Sequence, residues 1–114
     1  MNSILGHIVY TGTDVLENVY VNMDGSAIAS ITPAPAGTLV GEYAVITPAF
    51  IDAHSHIGLG AGGAVDRATA EQQAITDRDS GVLLIRDAGA PVDTHWVDHR
   101  ADLPRIIRAG RHIA

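Results

Sequence analysis

The chain has 114 residues and a mass of 11.9 kDa, with 46% hydrophobic and 18% charged residues, which is enough for one ordinary domain with a core. Lys plus Arg is 7 and Asp plus Glu is 13, so the net charge is −6; such a chain lacks the basic patch that nucleic acid or an anionic membrane surface needs. Cysteine is absent, which excludes a disulfide framework, a thiolate metal site and a cysteine nucleophile, and leaves histidine and carboxylate as metal ligands. The apolar runs fall far short of the ~20 residues that span a bilayer. Met1-Asn2-Ser3 carries no basic side chain, and Ile4 to Tyr10 is broken by Gly6 and His7. No signal-peptide pattern results, and the expected location is cytoplasmic.

In chain order, Ile4-Leu5 and Ile8-Val9-Tyr10 read as the first strand region. Val19-Tyr20-Val21 runs into Asp24-Gly25, with Ile28 and Ile31 beyond. Asp-Gly between β-prone segments predicts a hairpin with these two residues at the turn positions. Thr32 to Thr38, with Pro33, Pro35 and Gly37, reads as a loop. Tyr43 to Ile46 is a strand ended by Pro48. Phe50 to Ile57 is also extended, but Asp52, His54 and His56 alternate with Ile51, Ala53 and Ser55. A period of two puts the three polar side chains on one face.

Gly58 to Gly63 follows as a glycine-rich loop. Thr69 with Gln72 fits a capping box for a helix over Ala70 to Asp79, and Gly81 suits the position past its end. Val82 to Ile85 is a continuous apolar strand of the kind covered on both faces. Asp87 to Pro91 is its exit loop, Thr94 to Arg100 holds a helical turn or two, and Leu103 to Ile107 starts another strand. Strand, helix, strand in this order implies a parallel pair with a right-handed crossover. Arg108 to Ala114 carries no stop signal.

His54 and His56 are the sharpest chemical feature. Imidazoles two apart on a strand point the same way and can reach one ion, and zinc accepts neutral imidazole nitrogen at ~2.0–2.1 Å. Asp52 could orient a ligand histidine through its other ring nitrogen. The competing reading is an exposed polar strand face. A strand of this kind ahead of a glycine-rich loop is where α/β proteins place ligands.

Residues Ile46 to His56 (ITPAFIDAHSH) resemble the signature of the amidohydrolase superfamily, metal-dependent hydrolases with Pro-Gly-x-x-Asp-x-His-x-His on the first strand of a (β/α)8 barrel. The preceding hairpin region resembles their small β-sandwich. Leu84 to Gly89 (LIRDAG) resembles the second barrel strand of the branch related to imidazolonepropionases and Xaa-Pro dipeptidases, and Leu103 to Arg111 (LPRIIRAGR) fits the segment that follows. Ala49 stands where the family has glycine.

The resemblance implies an α/β fold: β-sandwich strands over residues 1–46, then the first β/α units of an incomplete TIM-type barrel over 47–114. A whole barrel takes about 250 residues, so there is room for about two of its eight strands. It also implies hydrolysis of C–N bonds in amides, cyclic amides or dipeptide-like substrates, with water activated by one or two divalent ions, most simply zinc. His54 and His56 carry over as metal ligands. Only these two carry over; Asp52 is held as an outer-shell group and Asp87, at the end of the second strand, as a site-facing one, each against a purely structural reading. The remaining ligands and the proton-handling aspartate lie beyond Ala114, so the chain alone is expected to be inactive. The partner that the resemblance implies for the intact enzyme is a small amide-type substrate, and neither nucleic acid nor membrane is expected.

A second reading is a short non-catalytic protein that binds a partner or forms a homo-oligomer through its open sheet edge. A third uses Gly58 to Gly63, which matches G-x-G-x-x-G between a strand and a helix and so resembles a dinucleotide-binding turn. Against it, the preceding strand is polar and the expected cap, Thr69, lies six residues past the last glycine. His95 to His99 gives H-x-x-D-H, similar to an inverted zincin motif with the shorter acid; a solvated polar segment is the favoured reading. His7 and His112 read as ordinary, Trp96 as the edge of a core, and neither Ser55 nor Ser80 sits in a nucleophile elbow.

Overall fold

The computed structural model of the protein describes residues 1–109. His112 and the end of the 103–111 segment lie outside them. Two compact units divide the chain, Met1–Pro48 and a second that begins at Ala49.

The first unit is one four-stranded sheet. Its strands are β1 (Asn2–Tyr10), β2 (Val15–Asp24), β3 (Ala27–Thr32) and β4 (Thr38–Ile46), in the order β3-β2-β1-β4. β2 pairs antiparallel with β1 and β3, whereas β4 joins β1 in parallel. The strands of the expected sandwich are thus present as one mixed layer. They run longer than the apolar triplets suggest, because ladder pairing holds polar residues such as Glu17 opposite Ile8.

The hairpin turn falls one residue later than Asp24-Gly25. Asp24 still pairs with Ala27, and Gly25 and Ser26 form the turn. Only the first of these needs a positive φ, 58° at Gly25, which glycine adopts without a Cβ clash.

Parallel pairing of β4 with β1 requires the 33–37 loop to pass over the sheet, and a buried polar cluster holds it. Ser3 Oγ donates to Asn22 Oδ1 at 2.6 Å, and Asn22 Nδ2 donates to Thr32 Oγ1 at 2.7 Å and Ser30 Oγ at 3.0 Å. Ala36 N–H donates to Asn22 Oδ1 at 3.1 Å and Gly37 N–H to Ser3 Oγ at 3.0 Å. Asn22 and Ser3 are both 0% exposed, and no buried side-chain polar atom among the described residues lacks a partner. Each such group left unpaired costs about 1–3 kcal/mol.

The second unit is built on three parallel strands. β5 (Phe50–Ser55), β8 (Val82–Asp87) and β9 (Arg105–Arg108) lie in the order β5-β8-β9. Between β5 and β8 come a small hairpin, β6 (Leu59–Gly60) with β7 (Gly63–Ala64), and the helix α1 (Arg67–Asp79). Ala70 and Ala74, one turn apart, pack with Ile57, Ile85, Val97 and Leu103 in the core. Small residues at this spacing let a helix lie close to a sheet.

Helix α1 begins earlier than the Thr69 capping box predicts. Asp66 is the N-cap, and its Oδ1 accepts the Thr69 N–H at 2.8 Å. Thr69 is therefore the third residue of the helix, and an aspartate cap is at least as good as threonine. Gly81, at φ 92°, follows the helix end as expected. The 94–100 segment forms a short 3₁₀ helix, His95–His99.

Only one face of β8 is covered among the described residues. Ile85 is fully buried and its neighbour Ile106 packs with it, yet Ile51, beside Leu84, is 65% exposed and Ile107, beside Arg86, is 58% exposed. The described residues form an open sheet, with β5 and β9 at its two edges.

The Asn22 cluster generates the first prediction. Asn22→Ala leaves several polar groups without partners and should destabilise the first unit by roughly 3 kcal/mol. Urea unfolding read through the near-ultraviolet signal of Tyr10, Tyr20 and Tyr43, which all lie in that unit, measures this. A loss under about 0.5 kcal/mol would show that the cluster is dispensable.

Candidate functional site

The sequence DAHS distorts the end of β5. Its pairing with β8 shifts register between Asp52 and Ser55. Asp52 Oδ1 accepts the N–H of His54 at 3.0 Å, the local side-chain-to-backbone bond that competes with ladder pairing. The Asp52 carboxyl thus engages its own backbone rather than a histidine ring. His54 is exposed, and His56 lies just past the strand with its side chain 30% exposed. Their ring centroids are 5.6 Å apart and the planes meet at 79°.

His56 is fixed by the turn that follows β8. Its Nδ1 lies 2.6 Å from Gly89 O. A carbonyl can only accept, so Nδ1 carries the hydrogen and a neutral ring keeps its lone pair on Nε2. Asp87 is 1% exposed, and its Oδ1 accepts the Gly89 N–H at 3.0 Å while lying 3.7 Å from His56 Nδ1. Ala88 N–H donates to Ser55 O at 3.1 Å, which ties the turn to the end of β5. Asp87 therefore shapes the turn that presents the Gly89 carbonyl to His56.

A polar stripe of α1 reaches the same place. Thr69, Gln72, Gln73, Thr76 and Asp77 recur at helical spacing and line a cavity of about 310 Å³ beside Ser55 and His56. Gln73 Oε1 accepts the Gly58 N–H at 2.8 Å and its Nε2 donates to Leu59 O at 2.9 Å. Burial, then the nearby Asp52 carboxyl, pushes the Asp77 carboxyl up. Sequence reasoning passed over Asp77, although the i, i+3, i+4 recurrence of polar residues was there to be found.

Among the described residues no group of three or more His, Cys, Asp or Glu is arranged to hold a metal ion. The histidine pair offers two imidazoles, a donor type that suits zinc. Two donors leave about half of a four-ligand shell unfilled.

The other motifs fold into ordinary structure. The glycine-rich run forms the β6–β7 hairpin, and α1 starts only at Arg67 behind the Asp66 carboxylate. An acid at that helix end disfavours a pyrophosphate. His95 and His99 sit four apart on a 3₁₀ helix, about 120° from a shared face. Asp98 is paired to Arg108 through both oxygens, at 3.0 Å each, and the His95 ring to Asp93 at 2.7 Å. Trp96 packs on the core edge with the Arg67 guanidinium 3.9 Å above its ring. No helix among the described residues is long and apolar enough to cross a membrane.

His7 is less ordinary than its sequence context suggests. Its Nδ1 lies 3.0 Å from Asn18 Oδ1 and its Nε2 2.6 Å from Glu42 Oε1. The Asn18 bond, then Glu42, raise its pKa above the usual 6.5.

No protein-family model matches the chain. Uncharacterized proteins of Mycobacterium tuberculosis and Mycobacterium bovis are 49% identical over 85 residues, 75% of this chain and 23% of theirs. The chain thus spans about a quarter of the curated relatives it matches. A solved Xaa-Pro dipeptidase with methionine bound in its active site matches 99% of the chain and 34% of its own, with a TM-score of 0.71 and 22% identity. A prolidase complexed with N-methylphosphonate-L-proline matches 96% of the chain and 31% of its own, with a TM-score of 0.64 and 23% identity. At these identities the likeness is one of fold: the chain has the fold of about a third of each of these two solved chains.

His7 supplies the pH prediction. Its folded pKa is raised, so its contribution to the first unit is complete below about pH 6.5 and is lost as pH rises through the folded value. Following the His7 Cε1 proton by NMR should give a pKa above 6.5 that falls in both Asn18→Ala and Glu42→Gln. An ordinary pKa, unmoved by either change, contradicts the bridge.

Proposed function

We propose that this chain is part of an amidohydrolase-type metal-dependent hydrolase that acts on C–N bonds of dipeptide-like or related amide substrates. The observation that carries the reading is the adjacent pair His54 and His56, with the His56 Nδ1 occupied by Gly89 O. The prolidase-like fold of the solved neighbours supports it. In this reading His54 and His56 hold a divalent ion, most simply zinc. When bound, such an ion polarises an amide carbonyl and acidifies water. Gly89 O fixes the ring and tautomer of His56, as outer-shell partners of metal-bound histidines do. Asp87 holds the 87–89 turn, and Asp52 holds the irregular end of β5. The remaining ligands and the group that handles the proton come from outside this chain.

In the intact hydrolase, His54→Ala and His56→Ala should each abolish metal-dependent hydrolysis of a dipeptide panel, while Asp87→Ala lowers kcat/KM roughly 10–100-fold. Residues 1–114 alone should show no turnover. Metal-dependent turnover by that chain, lost on His54→Ala, would refute its inactivity; an intact enzyme indifferent to both alanines would refute the metal assignment.

Exposed Ile51 and Ile107 on one face of an open parallel sheet favour a second reading, a non-catalytic protein that self-associates through this face. A clean monomer by light scattering speaks against it.

A further inference from the structure

A second cavity, of about 460 Å³, opens at the carboxyl ends of β8 and β9, away from the polar stripe of α1. Its size suits a small organic ligand, and strand carboxyl ends are where open α/β sheets bind one. Ala90, Pro91 and Val92 give it an apolar wall. Asp87 also lines it, with a side chain only 2% exposed. Oδ1 of Asp87 accepts the Gly89 N–H, whereas Oδ2 has no hydrogen-bond partner among the described residues. Asp87 is the buried acid of the lining, so its carboxyl borders the cavity. A nearly buried carboxylate with one oxygen unsatisfied is a costly feature unless a ligand completes it.

The charges around the cavity select the ligand. Among the described residues Arg108 is the guanidinium in the lining, and it is already engaged: it donates to Thr94 Oγ1 at 2.9 Å, Thr94 O at 2.7 Å and both Asp98 oxygens at 3.0 Å. His95 is engaged by Asp93 at 2.7 Å. Among the described residues, the lining group left with an unpaired oxygen is the acid, Asp87. We propose that this cavity is a binding subsite for a small organic cation, a primary ammonium that donates to Asp87 Oδ2 while its short alkyl part lies on Ala90, Pro91 and Val92. Charge-assisted bonds in a sheltered site are the strong ones. The subsite stands without the metal reading, since it requires neither His54 nor His56.

The test uses the full chain and three probes of one shape: n-butylammonium, 1-butanol and butyrate. Titration followed by backbone amide NMR should show n-butylammonium binding at least about tenfold more tightly than either other probe, with the amide signals of Gly89 and Val92 moving most. Asp87→Asn keeps an oxygen for the Gly89 N–H and should weaken that binding at least about tenfold, whereas Asp93→Asn should retain it. Equal binding of the alcohol, tighter binding of butyrate, or unmoved signals at residues 88–94 overturn the proposal. So does loss of binding in Asp93→Asn with none in Asp87→Asn. The wild-type comparison decides alone should Asp87→Asn not fold.

Discussion

The hydrogen bond from the His56 ring to Gly89 O, at 2.6 Å, is the constraint on which the candidate site depends. It joins the end of one parallel strand to the turn after the next. The bond does two jobs at once: it holds the ring in place, and it occupies Nδ1 so that Nε2 remains the available nitrogen. The turn that supplies the carbonyl is itself set by Asp87, buried beneath it, through the Gly89 N–H. Removing Asp87 therefore disturbs His56 without removing any nitrogen.

The sheet explains why this bond forms here. Parallel pairing aligns the carboxyl ends of β5 and β8, so the loops leaving them are neighbours. The register shift between Asp52 and Ser55 loosens the last residues of β5, and the bond from His54 N–H to Asp52 occupies the amide that the irregular pairing frees. Small residues on α1 let the helix close over Ile85. The first unit solves a different problem. Its mixed sheet needs a loop across one end, and Asn22 anchors that loop from within.

Much of this was legible in the sequence. Short apolar runs located the strands, and Gly81 and Val82 to Ile85 marked the end of the helix and the strand after it. The alternation of Asp52, His54 and His56 pointed to the candidate site. What could not be read depended on partners distant in the chain. The Asp66 cap is the exception: its carboxylate accepts the Thr69 N–H three residues on, a bond as local as the capping box and open to reading in the same stretch. The glycine-rich run matched a fingerprint in spacing alone; its backbone found a hairpin partner in itself. The Gly89 contact spans 33 residues, and no local pattern announces a carbonyl acceptor. Asp87 was visible as a residue, but its burial, its bond to Gly89 and its open second oxygen are products of the turn.

The histidine tautomer tests this account most directly. Nitrogen-15 NMR of the full chain without added metal, at a pH where His56 is neutral, distinguishes a ring protonated on Nδ1 from one protonated on Nε2. The account predicts the hydrogen on Nδ1 and the lone pair on Nε2. A ring protonated mainly on Nε2, or one that averages between the two forms, would mean that the Gly89 carbonyl does not hold His56 and that its outer nitrogen is not set aside for a ligand.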